Sequence, residues 1–167
     1  GIKDMSSLAE WTSKQFDPSL WWDDVMVLRK RWPGKIILKG IMDKEDAKAA
    51  LNIGADAIVV SNHGGRQLDG AASTVSALPE ILDTVQDKCE GWVDGGIRTG
   101  QDILRMIAMG AKGTLVGRAF LYGLGALGKE GVTKALNIIK TETDMTMALC
   151  GRRDIHDLNR DNIYTPK

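Results

Sequence analysis

The sequence is poor in the residues that mark several common chemistries. Only two of its 167 residues are cysteine, Cys89 and Cys150. They form neither a CxxC pair nor part of a metal-ligand cluster, so a disulfide framework and a zinc site are not expected. Two free thiols in a reducing, cytoplasmic compartment are. An excess of charge of one sign is also lacking, with 22 basic side chains against 22 acidic ones. That balance gives no electrostatic reason to expect nucleic acid or an anionic membrane as a partner. No apolar run approaches the roughly 18 residues of a transmembrane helix. Gly1-Ile2-Lys3-Asp4 opens no signal-peptide core, and its glycine in place of methionine fits a processing scar, a cloning scar or a piece of a longer chain. Walker loops and GxGxxG turns are missing too. What is present is an ordinary globular composition, 43% hydrophobic and 26% charged, long enough for one domain with a core.

Periodicity organises the chain. Residues 1–19 are polar with Trp11 and Phe16 and read as a loop with a short helix. Asp17 or Ser19 is placed to cap a helix over 20–31, with Trp21, Val25, Leu28 and Trp32 at helical spacing. The tryptophans and methionines at such spacing are expected in a core. The run 35–40 suits a short buried strand. Asp43 can cap a helix over 44–53 that Gly54 stops. Residues 57–60 form a second strand, followed by a Gly-rich loop over 62–70 and a helix over about 74–88. A third strand covers 92–94, Thr99 caps a helix ending at Gly110, and a fourth strand covers 114–116. The rest to about 149 is helical, and a charged tail from 151 is expected to be irregular. Three parts follow: 1–34 as a loop and helix, 35–150 as the main α/β body, and 151–167 as a tail.

Strand and helix alternate, the pattern of a parallel sheet with crossover helices. When 40–62 is set against 96–118, Gly40, Ile41, Asp46, Gly54, Ala55 and Val60 meet Gly96, Ile97, Asp102, Gly110, Ala111 and Val116. A βα unit that recurs two units later fits a barrel assembled from βα pairs better than a Rossmann sheet. The expected fold is therefore α/β, four βα units making half of a (β/α)8 TIM barrel. Such a half leaves open sheet edges, so self-association, a missing partner half or rearrangement into an open sheet is expected.

The unusual polar residues cluster just after predicted strands, on the face where barrel active sites sit. Lys39 ends an otherwise apolar strand, where a fixed cation can stabilise a developing anion. Ser61-Asn62-His63-Gly64-Gly65-Arg66-Gln67-Leu68-Asp69 puts a histidine, suited to proton abstraction near neutrality, three residues before an arginine that can clamp a carboxylate. Asp94-Gly95-Gly96-Ile97-Arg98 and Gly117-Arg118 lie at successive strand ends. There, glycine backbone and the following helix N-terminus suit a phosphate.

These motifs, in order and spacing over about 6–163, resemble the FMN-dependent 2-hydroxy-acid dehydrogenases, the family of glycolate oxidase, L-lactate dehydrogenase and mandelate dehydrogenase. The resemblance implies FMN as cofactor and a small (S)-2-hydroxy acid, oxidised to a 2-oxo acid, as substrate. It implies that His63 is the general base, that Arg66 binds the substrate carboxylate, and that Lys39 faces the flavin N1/C2 carbonyl. Ser61 would line the flavin site. Asp94, Gly95, Gly96, Arg98, Gly117 and Arg118 would hold the ribityl chain and phosphate. Family members are about twice this length. The aspartate that orients the histidine, the tyrosines near substrate and the other flavin-ring contacts belong to the half absent here. The expected alternatives are an inactive half barrel that binds FMN or phosphate weakly, and a self-associating structural fragment. An IMP-dehydrogenase-like barrel is disfavoured because it needs a loop cysteine after a barrel strand. Cys89 precedes a predicted strand and Cys150 follows the last helix.

Overall fold

The computed structural model describes residues 5–15 and 17–164. They belong to two compact units, Gly1–Gly34 and Lys35–Lys167. The first holds helices α1 (Met5–Gln15) and α2 (Trp22–Arg31). Phe16 lies outside the described residues. Asp17 and Ser19 do not cap α2 as expected. They bond each other instead: the Asp17 carboxylate accepts the Ser19 hydroxyl at 2.6 Å and its N–H at 2.9 Å. The Ser19 hydroxyl bond, with the Ser19 N–H second, lowers the Asp17 carboxyl from its ordinary value. The N–H of Trp21, the residue that caps α2, is met from inside the helix, donating to the Asp24 carboxylate at 2.8 Å. The apolar stripe of α2 is not a core. None of its residues is buried, and Trp21, Leu28 and Trp32 are exposed. Spacing shows that a face is apolar; it does not supply a surface to cover it.

The second unit is built on strands β1 (Ile37–Ile41), β2 (Ala57–Val60), β3 (Glu90–Val93) and β4 (Gly113–Thr114). They pair in parallel in the order β1-β2-β3-β4, leaving β1 and β4 at the edges. The crossovers are α3 (Lys44–Asn52), α4 (Thr74–Val85) and α5 (Gly100–Ala108), with α6 (Arg118–Leu149) following β4. All four residues of β2 are buried, as befits a strand with neighbours on both sides. Its Ile58 joins Leu78, Ile81 and Val85 of α4 and Val93 of β3 at 0–1% exposure, which places the core between sheet and helices. On β3, Gly91 is buried and its missing Cβ would strike Leu82 of α4. The alternate residues Glu90 and Trp92 therefore take the opposite face, where the indole donates to the Glu90 carboxylate at 2.9 Å. That face carries Ile37 at 46% exposure, the open side expected of a partial barrel.

The repeat read in the sequence is a repeat in space. Asp43 and Thr99 cap α3 and α5, accepting from Glu45 and Asp102. Both helices end on a left-handed glycine, Gly54 (φ 73) and Gly110 (φ 110). The bonds that close them match: Gly54 N–H to Leu51 O and Ala55 N–H to Ala50 O, against Gly110 to Ile107 and Ala111 to Met106. These are glycine-terminated helix ends that satisfy the last carbonyls.

Some boundaries differ from expectation. β4 has only two residues; Leu115 still donates its N–H to Val93 O at 2.9 Å, and it and Val116 line a cleft just beyond the strand. β3 begins two residues early, and a 3-10 turn, 86–88, ends the α4 segment. The tail is ordered by two 3-10 turns, Ile155–Asp157 and Arg160–Asn162, anchored where Arg160 meets Asp83 of α4 at 2.8 Å. α6 breaks at Leu127 (φ −139) and Gly128 (φ 58), and beyond the break Gly131 packs against the backbone of Gly123.

Candidate functional site

The strand ends converge on a cleft of about 310 Å³ lined by Lys39, His63, Gly64, Arg66, Asp94, Gly95, Gly96, Ile97, Arg98, Leu115, Val116, Gly117, Arg118 and Leu121. A larger hollow of about 650 Å³ lies along one face of α6 and gathers no such set of groups from different elements. The chemistry-bearing cleft is the smaller one.

Lys39 is aimed by a bulge. The β1–β2 register runs Lys39↔Val59 and then Ile41↔Val60, so Gly40, at φ 105, is the extra residue. Glycine is needed there because a side chain is strained in that region. The ammonium meets the Asp94 carboxylate at 2.8 Å and the Ser61 hydroxyl at 2.8 Å. Ser61 is 2% exposed and does not line the cleft. It acts beneath it, accepting from Lys39 and from the His63 N–H at 3.2 Å. The other oxygen of Asp94, Oδ1, is buried and has no donor among the described residues. A buried carboxylate oxygen without a donor is costly. It suits a ligand that brings a hydroxyl.

His63 and Arg66 stand exposed on the loop after β2. The backbone of His63 is left-handed, φ 56, followed by Gly64 (φ 67) and Gly65 (φ 70). Among the described residues, nothing hydrogen-bonds the His63 imidazole. Arg118, at the start of α6, donates to Gly64 O at 3.4 Å. It thus reaches the histidine loop as well as the cleft. No carboxylate of the described residues lies within ion-pair range of Arg66, Arg98 or Arg118. Asp94 is the only acidic residue of the cleft lining and Lys39 already pairs with it, so the remaining field is positive. Gly117 caps α6 without a side-chain bond, and no acidic residue lies in the first turn. A Cβ added at Gly96 or Gly117 would meet nothing within 4 Å. These glycines leave open backbone facing the cleft. Open backbone, unpaired guanidinium groups and an orphaned acceptor together fit a ligand with a phosphate at one end and hydroxyls beside it.

Arg98 is placed through its backbone. Asp102 Oδ2 accepts the Arg98 N–H, the Thr99 N–H and the Thr99 hydroxyl, each at 3.0 Å. Burial on its own raises this carboxyl; the bonds from Arg98 and Thr99, with Arg105 nearby, outweigh that and leave it below its ordinary 3.8. A carboxyl lowered on folding stabilises fully above its unfolded value and loses that contribution as pH falls through the lower folded value. Asp102→Ala is expected to cost about 1 kcal/mol in urea unfolding at pH 7, as for a lost helix cap. The difference from wild type should shrink below the ordinary value of 3.8. A penalty that persists unchanged into acid would remove the capping explanation.

The sequence singled out every polar lining residue. It missed Leu121, whose helical spacing looks like ordinary core, Leu115 and Val116, which read as strand, and Asn62, whose side chain bonds across the histidine loop. Neither cysteine lines the cleft. Both are free; Cys150 is exposed, and burial, with Asp56 and Glu90 adding to it, raises the Cys89 thiol. No group of three or more potential metal ligands occurs among the described residues.

A parallel sheet of βα units, open at both edges, with a cleft lined by basic side chains at its strand ends, is the arrangement of part of an α/β barrel. Comparison with known proteins narrows this. The model of the FMN-dependent dehydrogenase family matches residues 1–165, and the chain belongs to that family. It is 51% identical over 149 residues to an L-lactate dehydrogenase of Caulobacter vibrioides, covering 89% of this chain and 39% of the relative. It is 52% identical over 151 residues to an L-lactate dehydrogenase of Actinobacillus pleuropneumoniae, covering 90% and 40%. Among solved structures, the monotopic membrane protein (S)-mandelate dehydrogenase superposes with a TM-score of 0.88 at 38% identity, covering 98% of this chain and 43% of that one. A flavocytochrome b2 variant superposes at 0.84 and 41% identity, covering 87% and 39%. The chain thus spans about two-fifths of the length of the relatives it matches, and the fold is the corresponding part of a TIM barrel. No described helix is long and apolar enough to cross a membrane.

Proposed function

We propose that the cleft binds FMN and one end of a small (S)-2-hydroxy acid, and that this chain supplies the histidine–arginine loop and the flavin-phosphate site of an enzyme that oxidises the acid to a 2-oxo acid. One observation carries the reading: three guanidinium groups without carboxylate partners share a cleft with a lysine–aspartate pair whose second carboxylate oxygen lacks a donor. Lactate and mandelate, named in the relatives above, are both 2-hydroxy acids, which supports the substrate class.

Bound FMN supplies the two-electron acceptor. The chain's residues bind, orient and move a proton. Arg98 and Arg118, with the open backbone at Gly117, hold the phosphate; Asp94 accepts from ribityl hydroxyls beside Gly95 and Gly96. Lys39, fixed by Asp94 and Ser61, places its positive charge where negative charge grows on reduction, and it needs no rearrangement at that moment. Arg66 clamps the substrate carboxylate through paired N–H bonds. His63 takes the hydroxyl proton. Its imidazole has no orienting partner among the described residues. That favours a second reading of this stretch by itself, a module that binds FMN or phosphate without turnover until a complementary N-terminal half or a second copy completes the barrel. The two free cysteines are part of the same proposal, in a reducing cytoplasmic setting.

An FMN titration of the 167-residue chain, followed by flavin absorbance and fluorescence, tests the reading. Saturable binding that inorganic phosphate displaces is the expected result. Absence of binding would mean that the site does not form within this stretch.

A further inference from the structure

The loop over 63–72 carries both His63 and Arg66, and its root is strained. His63, Gly64 and Gly65 are left-handed in succession, and a histidine is disfavoured in that region. Asn62, just before them, makes the contacts that hold this geometry. Its side-chain amide donates to Ala72 O at 3.1 Å, closing the loop across ten residues. Its backbone carbonyl accepts the Gly65 N–H at 3.1 Å, closing the turn that bears the histidine. Its Oδ1 is buried without a donor and faces Gly95, whose added Cβ would lie 3.4 Å away. The hydroxyl of Thr74, a buried residue at the start of α4, donates to Gly95 O at 3.4 Å from the same side. One side chain therefore touches the loop root and the turn that follows β3.

We infer that Asn62 is a positioning residue that clamps the His63–Arg66 loop against the Asp94-Gly95-Gly96 turn, fixing the proton acceptor and the carboxylate clamp relative to the flavin site. The names of those ligands rest on the function proposed above; the clamp does not. The amide matters because Ala72 O takes a donor that an ionised aspartate lacks, while the N–H groups of His63, Gly65 and Arg66 are already bonded to Ser61, Asn62 and His63.

The test compares the 167-residue chain with Asn62→Ala and Asn62→Asp by NMR. In both variants the Gly65 and Arg66 amides are expected to exchange about tenfold faster, the scale of losing one local hydrogen bond. Amides of β2 and β3 should be unchanged. In the neutral Asn62→Ala variant the ring chemical shifts of the His63 imidazole should move while those of His156 stay fixed. Unchanged exchange at Gly65 and Arg66, acceleration spread evenly over the sheet, or His63 ring shifts that do not move would overturn the clamp. If Asn62→Ala does not fold, the exchange pattern of Asn62→Asp decides alone. Failure of the wild-type chain to bind FMN would overturn the proposed function and leave the exchange result standing. Unperturbed exchange in the variants would overturn the clamp even in a chain that binds FMN.

Discussion

Replacing Arg98 and Arg118 together by alanine is expected to weaken FMN binding by roughly two to four orders of magnitude, since a hydrogen bond to a charged group contributes about 1.5–3 kcal/mol and two are lost. Both side chains line the cleft, and neither has a carboxylate to pair with among the described residues. Their removal therefore leaves no buried acid unpaired, and stability should change little. The double variant separates phosphate recognition from recognition of the flavin ring. Riboflavin, which lacks the phosphate, should bind wild type and variant alike. Equal loss of riboflavin and FMN would place the two arginines somewhere other than the phosphate. Arg118→Ala alone has a further consequence: its donation to Gly64 O also disappears, so the histidine loop should loosen as well.

Gly131→Ala should be among the most destabilising single methyl additions in the chain, by about 2–3 kcal/mol. The added Cβ would fall on the carbonyl of Gly123, and no side chain there can rotate away. The two halves of α6 approach this closely only because both positions lack a Cβ. Gly125→Ala, in the first half of the same helix, is the control. Its Cβ would meet nothing within 4 Å. It should stabilise by roughly 0.5–1 kcal/mol, since alanine loses less backbone freedom than glycine in a helix. Urea midpoints of opposite sign relative to wild type are the expected outcome. Two substitutions that shift the midpoint in the same direction would show that the Gly123–Gly131 approach is not a constraint.

How much of this was legible in the sequence depended on whether the signal was local. β2 was plain because a central strand is apolar throughout, and all four of its residues are buried. The caps Asp43 and Thr99 and the terminators Gly54 and Gly110 were legible because a helix end is decided within a few residues. The length of β4 was not. Leu115 and Val116 are as apolar as strand residues, Leu115 still bonds Val93 O, and nothing local marks where the pairing with β3 ends. The same limit applies to α2, whose stripe implied a core that its unit does not provide. At the site, polar residues just after apolar runs identified Lys39, His63, Arg66, Asp94, Arg98 and Arg118. The burial of Ser61 beneath Lys39 could not be read, because it depends on the Gly40 bulge setting one strand against another. Asn62 escaped notice because its partner lies ten residues on, across a loop with no period to follow.

The matched ends of α3 and α5 have a meaning beyond packing. The scaffold is duplicated and the chemistry is not. At one pair of equivalent positions Gly40 follows a lysine and Gly96 follows a glycine; at the other, Ser61-Asn62 stands where the second copy has Gly117-Arg118. After β2 the chain makes a loop before α4 begins at Thr74, whereas α6 begins at Arg118, directly after Gly117. One copy has gained a reach of loop on which reactive groups can be carried. The other keeps its helix against the strand end, where open backbone at Gly117 and the Arg118 side chain face the cleft together. A doubled frame lets the two tasks diverge, because a change suited to one copy is not imposed on the other.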